Sequence, residues 1–106
     1  MVVTVLEATV AADRVGDLKA AYAVGAIPPG LVRSELLCAS NDPTRWRIQT
    51  LWSSRAALDA MRGTGTPAGV LMFRAAGAEP TLTVFDVAAS LTADDADNAR
   101  GAATNG

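Results

Sequence analysis

Arg45-Trp46-Arg47-Ile48-Gln49-Thr50-Leu51-Trp52-Ser53 alternates with a period of two, which is the pattern of a strand buried on one face. Trp46, Ile48, Thr50 and Trp52 point one way. Arg45, Arg47 and Gln49 point the other, and only Leu51 breaks the polar set. Just upstream, Asn41-Asp42-Pro43-Thr44 is a turn signal, because Asn and Asp side chains bond their own backbone and Pro presets φ. Leu31 to Ser40 before it is strand-like, so the two segments are predicted to form a hairpin. Just downstream, Ser53 or Ser54 can cap a helix reaching about Arg62, with Ala57, Leu58 and Met61 on its inner side.

The flanks complete a plan. Val2 to Val10 reads as a strand with Val2, Leu6, Ala8 and Val10 on one face and Val3, Val5, Glu7 and Thr9 on the other. Asp13 can cap a helix or favour its dipole, and the helix runs to about Val24 on a stripe of Val15, Leu18, Ala21 and Tyr22. Gly25 ends it, and Pro28-Pro29-Gly30 prevents a restart. After Gly63-Thr64-Gly65-Thr66, Pro67 suits a first helical position, so Ala68 to Ala76 is expected as a further short helix closed by Gly77. Thr81 to Val87 is the last strand. The order is β-α-β-β-α-β, the ferredoxin-like α+β plan, a four-stranded antiparallel sheet with helices on one face. Residues 1–88 form this domain, and 89–106, with almost nothing to bury, read as a flexible tail.

The sheet's second face mixes Val3 and Val5 with Glu7, Arg47 and Gln49. Such a face is best covered by a copy of itself, which predicts an isologous homodimer. With 106 residues the chain is one domain, and a domain of that size leaves much apolar surface for a second subunit to cover. Arg33, Glu35, Glu7 and Arg47 are expected to form a polar network there.

Nine basic and eleven acidic residues are dispersed along the chain, which leaves no electrostatic footprint for nucleic acid. No basic amphipathic helix or long apolar run points to a membrane. The chain enters strand-like sequence without a charged leader, and the single cysteine, Cys38, cannot close an internal disulfide. A reducing cytoplasm is the expected location. Cys38 itself is expected to be a small buried apolar residue. Histidine is absent, which removes the commonest general base and metal ligand.

The stretch Arg47-Ile48-Gln49-Thr50-Leu51-Trp52-Ser53-Ser54-Arg55-Ala56-Ala57-Leu58-Asp59-Ala60 resembles the antibiotic biosynthesis monooxygenase superfamily, in which a strand ending in Trp-x-Ser precedes a helix of the form Arg-x-Ala-Leu/Phe-x-Ala. Pro67 to Arg74 and Pro80 to Val87 are similar to its third helical segment and last strand, so the resemblance covers about Met1 to Ala88. It implies a dimeric α+β barrel with a pocket between each subunit's helices and sheet. It implies also, for several members, oxygenation of aromatic polyketides by dioxygen without a cofactor, while others degrade haem. In the haem-degrading branch a histidine on the helix after the tryptophan holds iron; Met61 and Arg62 stand there in this chain, and that branch is set aside. Cys38 and Tyr22 have side chains whose chemistry in principle allows haem ligation, but nothing else in the sequence points to it.

On this reading the chain is a cofactor-independent monooxygenase acting on an aromatic polyketide, anthrone or hydroquinone, with that substrate and dioxygen as partners. The alternative is a non-oxidative cyclase or isomerase, or a binding protein for an aromatic ligand. Trp52, at the position matching the superfamily's pocket tryptophan, is the first candidate; the bland alternative is a core aromatic. Tyr22 offers a phenol to the substrate, and Arg74 a cation for a developing oxyanion, against the alternative of a solvated helix end. Trp46, Gln49, Met61, Met72 and Phe73 are the candidate substrate contacts, with Leu71 beside them.

Overall fold

The hairpin places the tryptophan strand in the middle of everything else. In a computed structural model, which describes residues 1–93, the elements are β1 (Val2–Thr9), a short 3-10 turn (Ala12–Arg14), α1 (Val15–Ala23), β2 (Leu31–Ala39), β3 (Asp42–Trp52), α2 (Arg55–Arg62), α3 (Ala68–Ala75) and β4 (Thr81–Asp86). The antiparallel sheet has the order β2-β3-β1-β4, as the ferredoxin-like plan requires. Val2, Thr4, Leu6 and Ala8 of β1 stand opposite Trp52, Thr50, Ile48 and Trp46 of β3. These alternate positions face the helices, so the period of two seen in the sequence becomes the inner layer of the core.

The core forms two buried clusters. Leu6, Val10, Leu18, Trp46, Ile48 and Phe73 pack under α1 and α3, whereas Val2, Trp52 and Leu58 pack under α2. α3 lies close to the sheet because Gly69 has no side chain; a Cβ there would stand 2.6 Å from Leu6 Cδ1. Arg14 ties α1 to the end of α3, donating from Nη2 to the Ala75 carbonyl at 2.7 Å. That contact satisfies one of the carbonyls a helix C-terminus leaves open.

Four local expectations are corrected. The hairpin turn is Ser40-Asn41, and β3 starts at Asp42 rather than Arg45. The Asp42 carboxylate accepts from Thr44 N at 3.0 Å and Thr44 Oγ1 at 2.6 Å while the backbone stays extended, and a register shift between Cys38 and Ala39 absorbs the surplus residues. Asp13 makes no helix cap; the chain enters α1 through the 3-10 turn, and Asp17 in the first turn is held by Arg14 Nε at 2.7 Å. Pro67 is the N-cap of α3 rather than its first helical residue, its carbonyl accepting from Val70 and Leu71. Cys38 is exposed, because it sits at the far end of edge strand β2.

Ser54 caps α2 as expected, its hydroxyl accepting from Ala57 N at 3.0 Å. On the sheet's other face Arg47 donates to Glu7 Oε2 at 2.8 Å, Arg45 joins the same oxygen at 3.6 Å, and Arg33 pairs with Glu35 at 3.4 Å. Phe85 and Leu37 stand exposed on that face, beside Val3 and Leu51. Residues 94–106 of the expected tail lie outside the described residues.

Candidate functional site

A cavity of about 710 Å³ separates the two core clusters. Its floor is the helix-covered face of the sheet, with Thr4 and Leu6 from β1 and Ile48, Thr50 and Trp52 from β3. Leu58 and Met61 of α2 and Val70 and Met72 of α3 form its roof, and the segment from Gly25 to Val32 forms one side. The volume lies within the range of small-molecule sites, and the lining is mainly apolar with few polar groups, as such sites generally are. Its rim carries exposed apolar side chains, Ile27, Val32, Leu71 (52 %) and Leu82, beside the polar Arg33, Thr64 and Thr66.

Four of the expected site residues line this space: Trp52, Tyr22, Met61 and Met72. Trp52 presents its ring rather than its N–H, since Nε1 already donates to Thr4 Oγ1 at 3.1 Å and an indole has one donor. Tyr22 is half-buried, and its phenol donates to Ser34 Oγ at 2.9 Å.

The other four lie elsewhere. Phe73 is fully buried in the core beneath α3, where helical spacing turns it away from the cavity that Met72 lines. Trp46 sits toward the hairpin end, its Nε1 donating to the Pro43 carbonyl at 3.0 Å and Lys19 Nζ lying 5.8 Å from its ring. Gln49 belongs to the opposite sheet face, as its alternation from Ile48 and Thr50 demands. Arg74 is turned away from the cavity and grips Glu79 through two contacts of 2.9 and 3.0 Å. This bond holds the Glu79 carboxyl below the usual carboxylate range. Cys38 is not on the cavity wall either, so no thiol or imidazole is presented there. Among the described residues no group of three or more acidic, Cys or His side chains could hold a metal ion.

Sequence reasoning missed three features of the wall. Arg62 lines the cavity, and it has no ionic partner among the described residues, whereas Arg14, Arg33, Arg45, Arg47, Arg55 and Arg74 each pair with a carboxylate. Ser34 and Thr50 add hydroxyls, Thr50 Oγ1 donating to Ser34 Oγ at 3.2 Å. Thr50 was visible in the alternation as a polar residue among tryptophans; Ser34 needed the strand register to bring it opposite.

No protein-family model matches this chain, and no curated protein does. Solved structures do. A protein of Deinococcus radiodurans provisionally assigned as an antibiotic biosynthesis monooxygenase aligns with 87% of this chain and 97% of its own, at a TM-score of 0.69 and 11% identity. SnoaB, a cofactor-independent oxygenase from Streptomyces nogalater, aligns over 85% of this chain and 95% of its own, at TM-score 0.62 and 21% identity. A mutant of MhuD, with two manganese protoporphyrin IX molecules bound per active site, aligns over 87% of this chain and 99% of its own, at 0.65 and 20%. The resemblance read in the sequence is thus present in the backbone: this chain has the α+β fold of the antibiotic biosynthesis monooxygenase structures.

Proposed function

We propose that this protein is a monooxygenase that binds a flat aromatic substrate in the cavity and oxidises it with dioxygen, without a cofactor. The observation that carries this reading is the wall itself: an indole face, two thioethers and aliphatic side chains line the cavity, and Arg62, a guanidinium without an ionic partner among the described residues, borders it. Likeness of fold to SnoaB, named a cofactor-independent oxygenase, supports it.

Such chemistry asks little of the protein. An anthrone or hydroquinone loses a proton, and the anion passes an electron to dioxygen. For an anthrone, the CH₂ becomes C=O with one oxygen atom, and the other leaves as water with the two methylene hydrogens. The four electrons come from the substrate. The protein has to orient the ring, stabilise the anion and keep bulk water away. Arg62 takes the oxyanion role first considered for Arg74, because it borders the cavity and pairs with no carboxylate among the described residues.

Porphyrin fits this donor set poorly. The cavity offers no imidazole and no thiolate, and the Tyr22 phenol is engaged with Ser34.

The open sheet face completes the proposal as the seat of a homodimer. Val3, Leu51, Leu37 and Phe85 give it apolar area, and the Glu7–Arg47 pair gives it a self-complementary polar centre. Light scattering of dilute protein is expected to give twice the chain mass, and a monomer mass overturns this part.

The enzymatic part is tested by oxygen uptake of metal-free protein supplied with anthrones and hydroquinones. Uptake above buffer, with label from ¹⁸O₂ in the product, is the expected result. Conversion without incorporated label identifies a cyclase or isomerase instead. Binding without conversion identifies a ligand carrier.

A further inference from the structure

The cavity floor runs across the whole sheet. Val32 of edge strand β2 and Leu82 of edge strand β4 both line it, with Thr50 of β3 and Thr4 and Leu6 of β1 between them. Three spacings between neighbouring strands give that floor a span of about 14 Å. Both ends are open: Val32 is 49 % exposed beside the exposed Ile27, and Leu82 is 46 % exposed. The alternation of β4 sets Leu82 on the helix-covered face, paired with Leu6, whereas Phe85 stands on the face proposed for the dimer. A second subunit on that face therefore leaves the β4 end of the cavity open.

The two halves of this floor differ in chemistry. Polar groups gather on the β2–β3 half, where the hydroxyls of Tyr22, Ser34 and Thr50 meet. The β1–β4 half is aliphatic: Leu6 and Leu82 line it, and α3, which packs on Leu6 at Gly69, adds Val70 and Leu71 to the wall. Its one hydroxyl, on Thr4, is already bonded to the Trp52 N–H. A compact aromatic body held at the polar half would leave water against the aliphatic side chains of the other. Each CH₂ group placed there instead removes apolar surface from water. A blind pocket would limit the length of such a chain, but an end open at Leu82 sets no such limit.

We infer that the cavity is a passage open at both edges of the sheet, and that its ligand carries an aliphatic chain which lies along the β1–β4 half and leaves the domain past Leu82. The inference rests on the proposed aromatic site and extends it: the aromatic head sits among Trp52, Tyr22 and Ser34, and the chain runs away from it across β1 and β4. The ligand class is a phenol or hydroquinone with a long alkyl-type side chain, rather than a compact ring system alone.

The test is tryptophan fluorescence titration of the full chain with para-alkylphenols from ethyl to nonyl, each below its solubility limit. Affinity is expected to rise by roughly fourfold per added CH₂, the worth of one buried methylene, and to level off once the tail passes Leu82. Leu82→Trp narrows that exit, and is expected to lower the ratio of nonylphenol to ethylphenol affinity by roughly tenfold or more, the cost of overpacking. Should Leu82→Trp fail to fold, Leu82→Phe is read in the same way. An affinity that falls for the longer tails in the native protein shows a blind pocket and overturns the inference. A series with no dependence on tail length overturns it too, as does an unchanged ratio in the Leu82 variant; each of these leaves the aromatic site standing. If no alkylphenol binds, the aromatic site falls, and this inference with it.

Discussion

Trp52 Nε1 donates to Thr4 Oγ1 at 3.1 Å, a bond that joins β3 to β1 diagonally across the cavity floor over 48 residues of chain. It fixes the plane of the indole with a partner that is itself buried, and leaves the ring face for the cavity. Cross-strand diagonals of this kind are within reach of aromatic side chains and help to set register.

Replacing that indole separates its two tasks. Trp52→Phe keeps a ring but leaves the Thr4 hydroxyl without its donor, and an expected loss of about 1–3 kcal/mol follows from the lost bond and reduced packing. Urea denaturation measures it. Aromatic-ligand affinity is expected to fall too, since the wall recedes. Trp46→Phe loses its bond to Pro43 and some stability, yet should leave affinity within about twofold, because Trp46 is not on the cavity wall.

The two arginines first weighed for the oxyanion role divide cleanly. Arg74→Ala breaks only the exposed pair with Glu79, so activity is expected to stay unchanged and stability to change little. Arg62→Ala removes a cation that lines the cavity, and kcat on an anthrone is expected to drop by roughly tenfold or more. Equal effects of the two variants would contradict the assignment.

Glycine substitutions should have opposite signs at two positions. Gly30 has φ +85°, and a Cβ there would collide with the Ala57 Cβ of α2. Gly30→Ala is therefore expected to destabilise by about 2 kcal/mol or more, adding left-handed strain to the clash. Gly16, inside α1, has open space around it, and Gly16→Ala is expected to stabilise by about 0.5–1 kcal/mol. Thermal melting of both variants checks the pair.

Acid should weaken the fold partly through Glu7. The hydrogen bond from Arg47, and the charges of Arg47 and Arg45, hold its carboxyl below the ordinary value of 4.5. The unfolded chain then binds the proton more readily than the folded one, so stability is fully present above 4.5 and is lost as pH falls through the lower folded value. Asp42 and Glu79 are shifted in the same direction by their own partners. Melting temperatures at neutral and acid pH are expected to differ less in Glu7→Gln than in the native chain.

Much of the architecture was legible because it rests on local rules. The alternation of Arg45 to Trp52 set one buried face, Ser54 set the start of α2, and the Gly and Pro runs set the breaks between elements. Element order then left the ferredoxin-like sheet as the natural arrangement, and the order β2-β3-β1-β4 is what formed. The turn residues misled because Asp42 and Thr44 satisfy each other within an extended chain, which no count of turn-forming residues reveals.

The sequence by itself determined which side of the central strands is apolar, that Ser54 starts α2, and that this chain offers no histidine. Tertiary structure decided which of those side chains share a space. Phe73 and Met72 are neighbours in the chain but face core and cavity respectively, because a helix turns about 100° per residue. Gln49 and Arg74 have suitable chemistry but point elsewhere, while Ser34, Thr50 and Arg62 converge on the cavity from three elements. Alternation assigns a face, but only strand register and helix placement bring together residues such as Tyr22 and Ser34, whose contact depends on the whole sheet.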